Sequence, residues 1–276
     1  MLNCLQFLFI FRCRAKCAYL HEICFTNMAS HSLNHRPSAA LNEEDKLNFR
    51  GGNPGAVQFG NFINYYKFHP PSERIQILPK DIWDRSQPFV MLDIGCNAGD
   101  LTVALYDFIV NNVNKSCHIL AVDIDPILIE RAKENTDNPH IVYECLDFMN
   151  IKEKDLLISN FLDKYSVKKF SACFCFSITM WIHLNYGDVG LQTFLKEICK
   201  DSAMVVVEPQ PWKCYKSAVK RMKLANSEFA HYKHLKDRSN IECKIDQVLL
   251  EVEGVAKVTE TINTSWGRKI SIFRTT

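Results

Sequence analysis

The chain has no C-x-x-C pair, no G-x-G-x-x-G fingerprint, and no uncharged apolar run approaching the roughly 20 residues of a membrane-crossing helix. Each absence excludes a class. Without paired thiol spacing, the twelve cysteines do not read as a disulfide framework. Cys117, Cys145, Cys173 and Cys175 fall instead in apolar, strand-like runs, which fits buried reduced thiols in a reducing, cytoplasmic compartment. Leu5 to Phe11 is apolar but too short to span a bilayer, and Arg12, Arg14 and Lys16 follow it with no obvious cleavage site. Cys13, Cys17, His21 and Cys24 match no common zinc spacing, so no metal is expected.

What is present centres on Val90 to Asp100, VMLDIGCNAGD. An apolar run ends in Asp93, breaks at Gly95 and Gly99, and resumes with Leu101, Val103, Ala104, Leu105 and Phe108 at helical spacing. Strand, glycine turn and helix in this order hold adenosine-containing cofactors at the carboxyl end of a sheet. Gly95 permits the sharp turn, and Gly99 is expected to let backbone approach a ligand closely. A pyrophosphate is disfavoured, because Asn97 stands where the middle glycine would be and Asp93 would repel it. A cationic ligand without phosphate suits these groups, and S-adenosylmethionine is one. A second apolar run, His118 to Asp125, places Asp123 where a carboxylate would grip ribose hydroxyls. Asp147-Phe148, at the end of a third run (His140 to Phe148), suits an adenine, with Phe176 to Ser177, at the end of the fourth strand, closing from the other side.

Apolar runs alternate with helical patterns along the remaining chain. Helices are expected at Ile127 to Lys133, Leu156 to Tyr165, Gly190 to Cys199 and around Ile245 to Val252. Further strands are expected within Phe170 to Leu184 and Ala203 to Trp212, with a closing antiparallel pair at Val255 to Ile262 and Lys269 to Phe273. This is an α/β pattern, a class I (Rossmann-like) methyltransferase fold with a seven-stranded, mostly parallel sheet and helices on both faces. Residues 1–55 read as a disordered extension, of which 1–27 precede a second start-like Met28-Ala29-Ser30; residues 56–276 read as the methyltransferase domain. No feature suggests a dimer surface, and a monomer is expected.

Acidic residues are scarce between Pro211 and Arg238, where only Glu228 and Asp237 oppose eight lysines and arginines. Lys213, Lys216, Lys220 and Lys223 recur at helical spacing and form one cationic stripe, suited to a polyanion backbone. Aromatics crowd Phe59 to Pro79, where Tyr65, Tyr66 and Arg74 are expected to face a cleft while some of the rings of Phe59, Phe62 and Phe68 pack in the core. The Asn/Asp-Pro-Pro-Tyr/Phe string of many amino methyltransferases is missing after the fourth strand, which disfavours an amine acceptor.

Phe59-Gly60-Asn61-Phe62, Leu92 to Asp100, Met180-Trp181-Ile182-His183-Leu184-Asn185, Gly187-Asp188, Glu208 to Trp212 and Asn263-Thr264-Ser265 resemble the bicoid-interacting-protein methyltransferase family over roughly Val57 to Thr276. Phe68-His69-Pro70-Pro71 and Leu146 to Asn150 are similar to its short cytoplasmic member. That resemblance implies O-methylation of a single 5′ phosphate on small RNAs, histidine transfer RNA chiefly and microRNA precursors as well. It implies cofactor contacts at Arg74, Asn97, Asp123, Asp147, Phe148 and Phe176, the last a methionine in the vertebrate enzymes. It implies a phosphate pocket with Tyr65, lined also by His183, Asn185 and the Lys213 region; the aromatic segment and the cationic stripe themselves add Tyr66, Lys216, Lys220 and Lys223 as expected RNA contacts, with Asn185 beside them. Three other readings stay open: a protein or small-molecule methyltransferase, a non-catalytic RNA-binding protein keeping the fold, and a nicotinamide dehydrogenase weakened by the missing glycine.

Overall fold

The computed structural model describes residues 57–85 and 88–276. The expectations for residues 1–55, including the early apolar stretch and the Cys13 to Cys24 group, lie outside the described residues. Two short helices come first, α1 (Tyr65–Phe68) and α2 (Pro71–Ile77), the second opened by a proline whose fixed φ suits a first helical position. Then β1 (Phe89–Ile94), α3 (Asp100–Asn112), β2 (Cys117–Asp123), α4 (Pro126–Asn135), β3 (Ile141–Cys145) and α5 (Ile151–Lys164) alternate. They are followed by β4 (Ala172–Phe176), α6 (Thr179–Asp201), β5 (Met204–Glu208), α7 (Trp212–Leu224), α8 (Ile241–Leu250), β6 (Val255–Glu260) and β7 (Ser271–Thr275).

The seven strands form one sheet in the order β3-β2-β1-β4-β5-β7-β6. β1 to β5 pair in parallel, and β7 runs antiparallel to both β5 and β6. Successive residues of the central strands alternate between two cores. Val90, Leu92 and Ile94 pack with α5, α6, α7 and α8, while Phe89 and Met91 pack with α3 and α4. A strand buried on both faces has to be apolar throughout, which is why β1, β4 and β5 lack polar alternation. Each side chain of this size contributes about 1.5–3 kcal/mol on burial.

Strand order reverses between β1 and β4, and that switch point opens a crevice at the carboxyl ends. Several boundaries differ from those expected. The fourth strand ends at Phe176 as expected, but the stretch that follows, Thr179 to Leu184, is the start of α6, because Ser177 takes a left-handed φ of 60° and turns the chain. α6 also absorbs the helix expected to begin at Gly190 and carries a kink at Gly187 (φ 71°, ψ −173°). The third strand ends at Cys145, leaving Asp147-Phe148 in the following loop. Phe68 is 65% exposed and Cys145 is exposed, whereas Cys117, Cys173 and Cys175 are buried free thiols. Among the described residues no helix is long and apolar enough to cross a membrane.

Candidate active site

β1 delivers Asp93 to the crevice with only 2% of its surface exposed. Thr102 at the start of α3 donates to Asp93 Oδ2 at 2.7 Å, yet burial pushes the carboxyl up to about 6. The turn that follows is left-handed three times, at Gly95 (φ 78°), Asn97 (φ 53°) and Gly99 (φ 84°). A Cβ on Gly95 would come within 2.3 Å of Ile178, so the turn is closed to other residues by space as well as by φ. Gly99 serves a different neighbour from the one expected: a Cβ there would meet the Tyr143 hydroxyl at 2.6 Å, and it does not line the crevice.

Asn97 ties three elements together. Its N–H donates to Asp123 Oδ2 at 2.9 Å, its Nδ2 to the Phe62 carbonyl at 3.1 Å, and its Oδ1 accepts from Ala98. Asp123 also accepts from the Asp125 N–H at 3.0 Å. Burial nonetheless raises its carboxyl to about 6, against the pull of those two backbone donors. Asp125, which sequence reasoning passed over, caps α4 through the Ile127 N–H and accepts from Asn61 Nδ2 at 2.5 Å. On the far side, Asp147 accepts from Tyr186 Oη at 3.1 Å, and Phe148 is held edge-on to Phe194 at 5.5 Å.

These groups line one cleft of about 940 Å3 including its open mouth. Tyr65, Tyr66, Arg74, Asp93, Gly95, Asn97, Asp123, Asp147, Phe148 and Phe176 all reach it, as do Ser177 and Trp181. Tyr66 sits on the acid side, its hydroxyl on the Cys96 carbonyl at 3.3 Å. That leaves it facing the cleft wall rather than a surface that RNA would track.

At the other end of the cleft the charge changes sign. Arg74, with no exposed surface, pairs with Glu208 at 2.7 Å and donates to Tyr65 Oη at 3.0 Å and Ser177 Oγ at 3.1 Å. Burial works against its charge, but Glu208 and Tyr65 outweigh that and raise its pKa above the ordinary arginine value. Arg268 Nη1 reaches the same Ser177 hydroxyl at 2.6 Å, and Trp266 Nε1 donates to Glu208 Oε1 at 3.0 Å. His69 stacks on Tyr65 (4.7 Å, 12°); burial, then Arg268 and Arg74, push it down to about 4. Gln210 accepts from the Thr179 hydroxyl and the Met180 N–H, fixing the start of α6 to the end of β5.

Two expected phosphate and RNA contacts lie elsewhere. His183 is fully buried on α6, with Nε2 on Asp188 at 2.8 Å and Nδ1 on Tyr215 Oη at 3.1 Å. Both ring nitrogens are therefore spent inside the core, and the residue does not face the cleft. Asn185 donates to the Gln58 and Trp181 carbonyls and accepts from Gln58 Nε2, anchoring the leading segment. Lys213, Lys216, Lys220 and Lys223 are exposed on α7 as one stripe, outside the cleft, with no carboxylate within 4 Å among the described residues. Ser177 lines the cleft beside Phe176 as expected, whereas Glu208 and Arg268 were given no role by sequence reasoning. An acid ending a wholly apolar strand was the available signal for Glu208; nothing local marks Arg268.

The acid end fits S-adenosylmethionine. Two buried carboxyls raised toward neutrality are costly unless a cationic and hydroxyl-bearing ligand answers them, and the glycine turn provides room without phosphate-binding chemistry. Among the described residues no group of three or more His, Cys, Asp or Glu is placed to hold a metal ion.

Comparison with known proteins agrees with this geometry. The model of the Bicoid-interacting protein 3 (Bin3) family matches residues 170–275, and a methyltransferase-domain model matches residues 86–200. The chain is 40% identical over 239 residues to the RNA 5′-monophosphate methyltransferase of Bos taurus, covering 80% of this chain and 82% of that one. It is 41% identical over 239 residues to the pre-miRNA 5′-monophosphate methyltransferase of Xenopus laevis, covering 80% and 93%. With this fold, this cleft and this extent of identity, the chain belongs to the Bicoid-interacting protein 3 family of methyltransferases.

Proposed function

We propose that this protein methylates the 5′-terminal monophosphate of a small RNA, with S-adenosylmethionine as methyl donor. The observation that carries the reading is the change of charge along one cleft: carboxylates at the β1 and β2 tips, then Arg74 of α2 lining the wall by the β4 and β5 tips, with Arg268 of the loop before β7 bonded to the same Ser177 hydroxyl. The printed activities of relatives covered over most of their length support it. A protein or small-molecule acceptor would leave the arginine end and the α7 stripe without a role.

The residue roles follow from these positions. Asp123 would hold the ribose, Asp93 and the Gly95 to Asn97 turn the cationic end, and Asp147 with Phe148 the adenine; Phe176 and Arg74 would close the other side. When bound, S-adenosylmethionine supplies a methyl on a sulfonium that a phosphate oxygen can take with no proton transfer. A terminal monophosphate has its second pKa near 6, so at neutral pH it is mostly dianionic and already nucleophilic. The chain's own task is to place that oxygen in line, which is catalysis by proximity. Tyr65, fixed by Arg74 and stacked on His69, is the neutral donor nearest the junction. A neutral donor steadies the anion without quenching it, whereas a tight cation clamp would favour the ground state. Lys213 would meet the first internucleotide phosphates, and Lys216, Lys220 and Lys223 the strand beyond. Lys213 to Lys223 spans roughly 15 Å at the helical rise.

The same reading extends to a cytoplasmic enzyme that works as a monomer on histidine transfer RNA and microRNA precursors, with residues 56–276 as the catalytic domain. Mass spectrometry of the 5′-terminal nucleotide, released by nuclease after reaction with 5′-monophosphorylated transfer RNA, tests the chemistry. One methyl on the terminal phosphate is expected; a methyl on the base or the ribose would overturn the proposal.

A further inference from the structure

Arg74 and Arg268 share one buried carboxylate. Glu208 Oε2 lies 2.7 Å from Arg74 Nη2 and 3.7 Å from Arg268 Nη1, with side-chain exposures of 0%, 0% and 10% for Glu208, Arg74 and Arg268. The other groups facing the pair do not restore the balance. His69 is neutral, and Tyr65 and Cys214 bring no carboxylate. Glu73 is turned outward to the Ser265 N–H and hydroxyl, and Asp93 is bonded to Thr102 across the cleft. Glu73 and Asp93 act on Arg74 only through space, so among the described residues the two guanidinium groups have Glu208 alone as a carboxylate within 4 Å, in a largely buried site where incompletely paired charge is costly.

The two guanidinium groups differ in what they have free. Arg74 spends its donors on both oxygens of Glu208, the Tyr65 and Ser177 hydroxyls and the His69 carbonyl. Arg268 reaches Ser177 Oγ at 2.6 Å, the Tyr65 hydroxyl and, weakly, Cys214 Sγ at 3.8 Å, so its five-donor fork is less fully used than that of Arg74. Its surroundings favour the charge: burial opposes it, yet Tyr65 and Glu208 hold the guanidinium above the ordinary value. Lys213 approaches the same hairpin loop, its Nζ standing 3.9 Å from where a Cβ on Gly267 would be.

We propose that Arg268 recognises the terminal phosphate of the RNA, its free donors supplying the planar fork that Arg74, already saturated, does not offer. This rests on the function proposed above. A guanidinium fork presented to a phosphate gives short, charge-assisted and often paired hydrogen bonds, which a 5′-hydroxyl end would leave unmade. Arg268 is then what separates a phosphorylated end from an unphosphorylated one. The α7 lysines contact phosphates that both ends share.

The test is binding of one RNA, prepared with a 5′-monophosphate or a 5′-hydroxyl, to the full chain saturated with S-adenosylhomocysteine. The wild type should favour the phosphorylated form. Arg268→Met should lose about tenfold or more of that preference, the worth of one charge-assisted contact. Its affinity for S-adenosylhomocysteine and for 5′-hydroxyl RNA should not change. Arg268→Lys should recover only part of the preference, since it keeps charge without the fork. It also carries the test if the methionine variant does not fold. Lys213→Met should weaken both RNAs alike. A full preference retained by both Arg268 variants would overturn the inference, as would an equal loss of S-adenosylhomocysteine affinity, which would mean that Arg268 serves the cofactor carboxylate. A wild type with no preference for the phosphorylated end would overturn the proposed function itself.

Discussion

Two fully buried cations in this protein are treated in opposite ways. Lys154 on α5 has three carboxylates around its ammonium, Glu197 at 2.5 Å, Asp155 at 3.0 Å and Asp201 at 3.3 Å. Burial alone would lower its pKa, but bonds to Glu197 and Asp155 outweigh it. It clips α5 to α6 and stands 5.6 Å over the Phe148 ring, a scaffold with its charge answered in full. Among the described residues Arg74 and Arg268 have one carboxylate within 4 Å between them. Equal burial with unequal pairing separates a structural cation from one that awaits an anion.

The largest effect expected from breaking this contrast is at Glu208. Glu208→Gln strips from two buried guanidinium groups the one carboxylate that lies within 4 Å of them among the described residues, which should cost about 3–5 kcal/mol in denaturant unfolding. Next comes the acid end. Asp123→Ala should lower S-adenosylhomocysteine affinity about 100-fold, or roughly 2.7 kcal/mol, by calorimetry, with the far-ultraviolet dichroism unchanged. Lys154→Met should cost less, about 1–2 kcal/mol, because the acids it leaves behind reach solvent, and should not alter the preference for a phosphorylated end. A loss equal to that of Glu208→Gln would erase the distinction between the two cations.

Acid pH sharpens the same contrast. Asp93 and Asp123 have folded pKa values raised to about 6, above their ordinary 3.8. Their contribution to the stability of the ligand-free protein is therefore fully present below about 4 and lost as pH rises through 6. Affinity for a cationic cofactor has the opposite sign, since it needs the carboxylates ionised. It should fall about tenfold per carboxylate between pH 7 and 5, while the ligand-free protein gains stability from these groups. The smallest effects belong to α7: Lys216→Ala or Lys220→Ala should each flatten the salt dependence of RNA binding by about 0.7–0.9 in slope, equally for both 5′ ends.

The acid half of the site was legible because each of its members ends an apolar run. Asp93, Asp123 and Asp147 stand where a buried strand gives out, and strand tips face the crevice by topology alone. The arginine half was legible only in part. Arg74 and Arg268 meet Glu208 across 134 and 60 positions of chain, a juxtaposition that depends on where the β6–β7 hairpin folds back. His183 shows the complementary failure. Its string is distinctive, but Thr179 to Leu184 is the first turn and a half of a helix, and a helix turns some of its residues inward. Distinctiveness marked the segment without telling which side chains the cleft receives. Of the three phenylalanines of the leading segment, Phe62 packs against the core while Phe68 stays exposed, on a one-turn helix too short to bury all its faces. The kink at Gly187 escaped notice because helical periodicity continues on both sides of it.

The most direct measurement of the whole account is transfer of labelled methyl from S-adenosylmethionine to one transfer RNA carrying a 5′-monophosphate, a 5′-hydroxyl or a 5′-triphosphate. The account predicts label on the monophosphate form and none on the hydroxyl form. Label on the hydroxyl form at a comparable rate would contradict it, because the arginine end of the cleft would then have no part in choosing the acceptor.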